Sequence, residues 1–212
     1  MIATKSTNSN VVKGKLIVDV DNLSVGDEIH ISGEKFNVIS ETDGSVTMLA
    51  KYNLGTDYRQ NTIVNSVAFA DDIGWEYAPG PKEIDIQVWS TNPKIYVSNY
   101  VSYLQTELGD NSVSGDLITL KELGSLGCIV PTDYTTGADP WNDPWTCVNS
   151  SQKDWLINGQ FWWIRSAHSV YSHHVWIMDI YGGLFGNAYH SPMPVRPIII
   201  ISKESLKNYL KT

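Results

Sequence analysis

Alternation of apolar and polar residues begins near Lys15 and recurs in four short runs: LIVDV, EIHIS, KFNVIS and SVTMLAKY. Period-two patterning of this length reads as half-buried strands. The runs are parted by DNLSVGD, by a turn at Gly33-Glu34 and by a turn at Thr42-Asp43-Gly44. An Asp-Gly pair between alternating runs is a strong hairpin cue. Residues 15–52 therefore read as a β meander. Farther on, IVNSVAFA and IDIQVWS read as strands among the loop-like stretches NLGTDYRQNT and DDIGWEYAPGPK, and Asn92-Pro93 breaks the pattern.

The period then changes. Val97, Tyr100, Val101, Leu104 and Leu108 recur at helical spacing, which predicts an amphipathic helix over 94–108 stopped by Gly109. A second helix is predicted in LITLKELGSLG, with Thr119 as N-cap, Glu122 completing a capping box and Gly127 at its end. Residues 131–160, rich in Pro, Asp, Asn, Thr and Trp, read as a long loop that builds a surface. FWWIRS and PVRPIIIIS return to strand character, and SKESLKNYLKT reads as a short helix. The order β meander, two helices, long loop and β predicts an α+β fold. Residues 1–14 read as a flexible or docking arm and 15–212 as a single domain without internal repeats.

Composition narrows the function. The chain has 212 residues, a net charge of −8, and 8 Trp and 11 Tyr. It shows no Lys/Arg cluster, which argues against nucleic acid as a partner. No segment reaches 18 apolar residues, so no membrane insertion is expected. No apolar h-region opens the sequence, so the expectation is a protein that stays in the cytoplasm or leaves by another route, such as a virion. Cys128 and Cys147 could form a disulfide in an oxidising compartment or stay as two buried thiols; a lone pair is not a zinc signature. No nucleotide loop, G-x-S-x-G or metalloprotease motif is present, and an enzyme is not expected.

Between the two C-terminal strand segments lies HSVYSHHVWIMDIYGGLFGNAYH. Tyr, His, Ser and Asn supply contact area and adaptable hydrogen bonds at low entropic cost, as in binding loops. The candidate ligand-binding residues are His168, Ser169, Tyr171, Ser172, His173, His174, Trp176, Asp179, Tyr181, Phe185, Asn187, Tyr189 and His190. Trp176 would anchor the surface from beneath, with Met178 and Ile180 on the same apolar face. Trp162, Trp163 and Trp176 itself read as core side chains. Arg165 and Arg196, set in apolar segments, read as structural bridges to carbonyls or carboxylates. His173 and His174 are adjacent and would point to opposite strand faces, which makes them a poor metal chelate.

The blocks Trp162-Trp163-Ile164-Arg165-Ser166-Ala167, Val175-Trp176, Gly183 to Phe185 and Val195-Arg196-Pro197-Ile198 resemble those of C-type-lectin-like domains of phage and bacterial surface proteins. This is the branch that includes formylglycine-generating enzymes and the variable proteins of diversity-generating retroelements. LITLKELGSLGC, DWLINGQFWW and GDEIHISGEKFNVIS are similar to the family as well. Pro194 departs from the pattern, where a Gly usually precedes Val-Arg-Pro. The resemblance implies a C-type-lectin-like fold with two helices, small antiparallel sheets and long loops. It also implies a non-enzymatic receptor-binding protein with a diversified C-terminal surface. The implied partners are a cell-surface protein or glycan, and virion proteins; an oligomer is compatible. The implied location is the virion or cell surface, after a cytoplasmic stage. The alternatives are a structural virion component (a head-decoration or tail-tip subunit) and a calcium-dependent sugar-binding lectin. The latter rests on Trp141-Asn142-Asp143, which copies a calcium-site motif and makes Asp139, Asn142 and Asp143 the weak Ca²⁺ candidates; no other cofactor is implied.

Overall fold

The computed structural model describes residues 19–54, 56–57, 62–63, 92–131, 145–167, 174–188 and 190–211. The strands expected in IVNSVAFA and IDIQVWS lie outside the described residues, as do the calcium candidates Asp139, Asn142 and Asp143. The architecture is mixed α+β.

The meander forms as β1 (Glu28–Ile31), β2 (Glu34–Glu41) and β3 (Ser45–Ala50). The arm expected at 1–14 and Leu16–Val18 of the first run lie outside the described residues. Val20–Asn22 is a 3-10 turn, because the Asp19 side chain accepts from Asp21 N–H and caps it. The β1–β2 turn sits one residue earlier than expected, on Ser32 (φ 50°) and Gly33 (φ 82°). Two positive φ values are what a two-residue hairpin needs to follow strand twist. A short pair follows, β4 (Thr56–Asp57) with β5 (Thr62–Ile63).

Helix α1 spans Asn92–Leu108. Pro93 sits in its first turn, where its missing N–H costs nothing. Strand β6 (Ser114–Leu117) and helix α2 (Leu120–Ser125) follow. The Thr119–Glu122 capping box forms as expected. Helix α3 (Lys153–Leu156) interrupts the stretch expected to be loop. Strands β7 (Trp162–Ala167), β8 (His174–Met178), β9 (Leu184–Ala188) and β10 (Pro197–Ser202) precede helix α4 (Lys203–Lys211).

Pairing makes two main sheets. One has the order β1-β2-β3-β10-β6, so the C-terminal strand lies between the meander and β6. Both its pairings are antiparallel. The other is β7-β8-β9, also antiparallel.

Three apolar clusters hold the molecule together. One face of the large sheet (Val38, Met48, Ile199, Ile201) packs on Leu104 of α1 and Leu206 of α4. From the opposite side, Leu49 and Ile198 meet α2 (Leu120, Leu123), α3 (Leu156) and Trp162, Ile164, Trp176 and Met178 of the small sheet. The third cluster places Trp163, Val175 and Ile177 against Val97 of α1 and Leu117 of β6. Strand β8 is therefore buried on both faces. Trp176 and Met178 serve one cluster, and Val175 and Ile177 another. A continuous apolar run is the sequence form of a strand covered on both sides.

Cys128 and Cys147 form a disulfide. It joins the end of α2 to the segment leading into α3. Among the described residues no helix is long and apolar enough to cross a membrane.

Candidate functional site

The small sheet is a fixed frame. Arg196 stands at its border, fully buried, just before β10. Its guanidinium donates to the carbonyls of Ala50 (2.7 Å), Leu156 (2.5 Å) and Trp155 (2.9 Å). Burial lowers its pKa to about 9, which leaves it charged at neutral pH. One side chain thus ties β3, α3 and β10, as the sequence reading of a carbonyl bridge expects. Arg165 of β7 pairs with Asp116 of β6, joining the two sheets. The next residue, Ser166, is buried and accepts Leu120 N–H at 3.0 Å, which satisfies a free donor at the start of α2.

Strand connectivity decides where the candidate residues lie. Ala167 is paired with Val175, and His174 with Ala188. The ends of β7 and β9 and the start of β8 therefore share one edge of the sheet. His174 and Asn187 are half-buried there, and His190 is exposed just beyond. The Asn187 carboxamide oxygen accepts Ala188 N–H at 3.0 Å, and Ala188 C=O accepts Ser191 N–H at 2.9 Å, closing a turn around position 190. His168, Ser169, Tyr171, Ser172, His173 and Tyr189 lie outside the described residues.

Asp179 and Tyr181 do not. They form the β8–β9 turn at the opposite end, about five residues along the strand, or roughly 17 Å at ~3.3 Å per residue. The single surface expected from 168 to 190 is thus divided by the topology. Asp179 is occupied by the turn itself. Its Oδ1 accepts Tyr181 N–H (2.8 Å) and Gly183 N–H (2.7 Å). Gly182 has φ +88°, and a Cβ there would stand 2.4 Å from Ile157 Cδ1. The result is a rigid tip with the Tyr181 side chain 75% exposed.

Two other candidates face inward. Trp176 is 1% exposed and fills the core, so it supports the frame and offers no surface of its own to a ligand. Phe185 packs against the Trp163–Val175–Ile177 cluster. The reason is the two-sided burial of β8, whose pairing partners inherit covered faces. Trp162 and Trp163 are fully buried, as expected of core residues.

Residues the sequence reading missed are the ones that brace these ends. Asp116 anchors Arg165, and Ser166 holds α2. Thr146 bridges Ile129 to Gly183 and donates its hydroxyl to Gly182 C=O at 3.1 Å. A Ser or Thr in a loop carries no signal of such a long-range partner. Among the described residues no group of three His, Cys, Asp or Glu side chains converges as a metal site. Compared with protein-family models, curated proteins and solved structures, the chain matches none.

Proposed function

We propose that the protein is a non-enzymatic binding protein of C-type-lectin-like character, with its recognition surface at the sheet end where β7 and β9 finish and β8 begins. The surface comprises residues 168–174, 187, 189 and 190. Its ligand is a cell-surface protein or glycan, and its setting a virion or cell exterior. The observation that carries the reading is the contrast along β8. The middle of the strand is packed on both faces by tryptophans and aliphatics, while its His174 end opens onto half-buried and exposed polar residues. A rigid frame with adaptable polar and aromatic residues at its rim is the physical form of a recognition site. A disulfide suits an oxidising exterior.

The test replaces Tyr171, His174 and Tyr189 by alanine together and measures binding to host cells and to a glycan array. Loss of binding at an unchanged melting temperature is expected. Undiminished binding would remove this surface from consideration.

A further inference from the structure

A separate cluster lies where α1, α4 and the β1–β2 turn meet. Tyr100, Tyr103 and Glu107 share one side of α1 by their spacing. The Tyr100 and Tyr103 rings stack with centroids 6.3 Å apart, and Phe36 of β2 stands 6.4 Å from Tyr100. From the turn, Ser32 Oγ–H donates to Glu107 Oε2 at 2.5 Å, and Ser32 N–H donates to the Tyr209 hydroxyl oxygen of α4 at 2.6 Å. Glu34 shares a face of β2 with Phe36, and Glu107 lies one helical turn beyond Tyr103. Burial raises the pKa of the Tyr103 phenol, and the charges of Glu107 and Glu34 push it the same way. Burial also raises the pKa of the Glu34 carboxyl. Tyr103 is nonetheless 42% exposed.

Neither Glu34 nor Glu107 has a cation within ion-pair distance among the described residues, whereas Glu28, Glu41, Asp21 and Asp116 each have one. Two carboxylates without a counter-ion among the described residues, on elements that also carry stacked phenol rings, offer both charge and ring quadrupole to a cation. A flexible ammonium on a four-carbon stem fits such a notch.

The charge distribution points to an occupant. Residues 1–18 hold Lys5, Lys13 and Lys15 and no Asp or Glu. Of the 15 Lys and Arg in the chain, 12 remain beyond that segment against all 23 acids, so a +3 segment precedes a −11 remainder. The described chain begins at Asp19, in a turn held to α4 by the Asp21–Lys207 bond of 2.5 Å. Helix α4 also carries Tyr209, one wall of the notch. From Asp19, extended chain reaches at most about 14 Å to Lys15 and about 21 Å to Lys13, at ~3.5 Å per residue.

We propose that the notch of Glu34, Tyr100, Tyr103 and Glu107 is a binding site for a lysine side chain on an extended peptide, and that its occupant is the chain's own segment 1–18, through Lys13 or Lys15. The tether supplies a high effective concentration, so a weak contact suffices. A lysine-bearing segment of another protein would compete for the same notch.

The test uses the full chain with Lys5, Lys13 and Lys15 changed to alanine, which empties the notch, and a labelled synthetic peptide of residues 1–18 followed by fluorescence anisotropy. Saturable one-to-one binding is expected. It should weaken at least tenfold in the unsubstituted chain, where the tethered arm competes. A similar weakening is expected when Glu34→Gln and Glu107→Gln are added at unchanged melting temperature; the carboxamides keep the acceptor that Ser32 uses. Tyr103→Leu, which removes one ring face, should weaken binding independently. A peptide with its lysines replaced by alanine should not bind. Absent binding, equal binding of the lysine-free peptide, or equal binding to the glutamine variant would overturn the proposal. Light scattering should give the monomer mass for the unsubstituted chain. A dimer mass lost on lysine substitution would overturn the intramolecular placement in favour of a second copy.

Discussion

The guanidinium carbon of Arg196 lies 5.2 Å from the centroid of the Trp162 ring. With three backbone carbonyls as acceptors, the charge is enclosed by dipoles and an aromatic face rather than by a carboxylate. Arg196→Met removes a donor shared by three backbone carbonyls, two of them in buried hydrogen bonds. Stability to urea should fall by about 3 kcal/mol or more. Arg196→Lys should recover less than half of the loss, because one ammonium cannot span all three acceptors in the fork geometry. A loss below about 1 kcal/mol would mean that water replaces the guanidinium without penalty.

The Cys128–Cys147 bond closes a loop of sequence separation 19. Changing both cysteines to serine should cost about 3 kcal/mol, chiefly by freeing the unfolded chain. Cys147 is fully buried, so a mild reductant should act on the folded protein only slowly. Thermal melts with and without reductant read both effects, and identical melts for the parent and the double-serine variant would contradict the first.

The turn at Asp179–Gly183 should be intolerant at one position and permissive at its neighbour. Gly182→Ala meets both a positive φ and the Ile157 side chain, and should lower stability by about 1–3 kcal/mol. Tyr181→Ser should stay within about 0.5 kcal/mol, because its side chain projects into solvent. Chemical denaturation of the pair tests the contrast. Equal effects would deny the rigidity assigned to this tip.

Glu28 governs part of the acid response. Burial would raise its carboxyl, but hydrogen bonds from Lys51 and His30 outweigh it and hold the pKa at about 2, below the ordinary 4.5. A depressed carboxyl contributes stability fully above the unfolded value and loses it as pH falls from about 4.5 towards about 2. Glu28→Gln should therefore lower stability at pH 7 by up to about 1 kcal/mol for this partly exposed network, and should have no effect near pH 2. Denaturation at both pH values tests the sign, and a variant equally destabilised at both would show that packing dominates.

Local signals were readable where chemistry and structure lie within a few residues of each other. Thr119 and Glu122 define a cap because both partners sit in one turn, and the spacing of Val97, Val101 and Leu104 marks the buried side of α1. The Asp43-Gly44 hairpin is of the same kind. Strand β6 escaped notice because SGDL is a poor strand former. Its Gly115 is needed for close approach, since a Cβ there would lie 2.7 Å from Val101 Cγ2 and 3.0 Å from Ile198 O, neither of which is a sequence neighbour. The placement of β10 between β3 and β6 escaped for the same reason.

The candidate site was legible in composition but not in arrangement. His174, Asn187 and His190 share one end of the small sheet, and Asp179 and Tyr181 the other. Only strand pairing reveals that division. Trp176 was read as an anchor beneath the surface, and its burial fits that description. Asp179 carried no sign that its carboxylate would be consumed by Tyr181 and Gly183 N–H groups.

Because β8 is gripped from both sides, the cost of sequence change along it is steeply uneven. A polar group at Ile177 would break a sealed interior, whereas a change at His174, half-buried at the start of the same strand, leaves that packing in place. Tolerance to substitution therefore changes within a few residues of one strand, from refusal at its middle to acceptance at its first position.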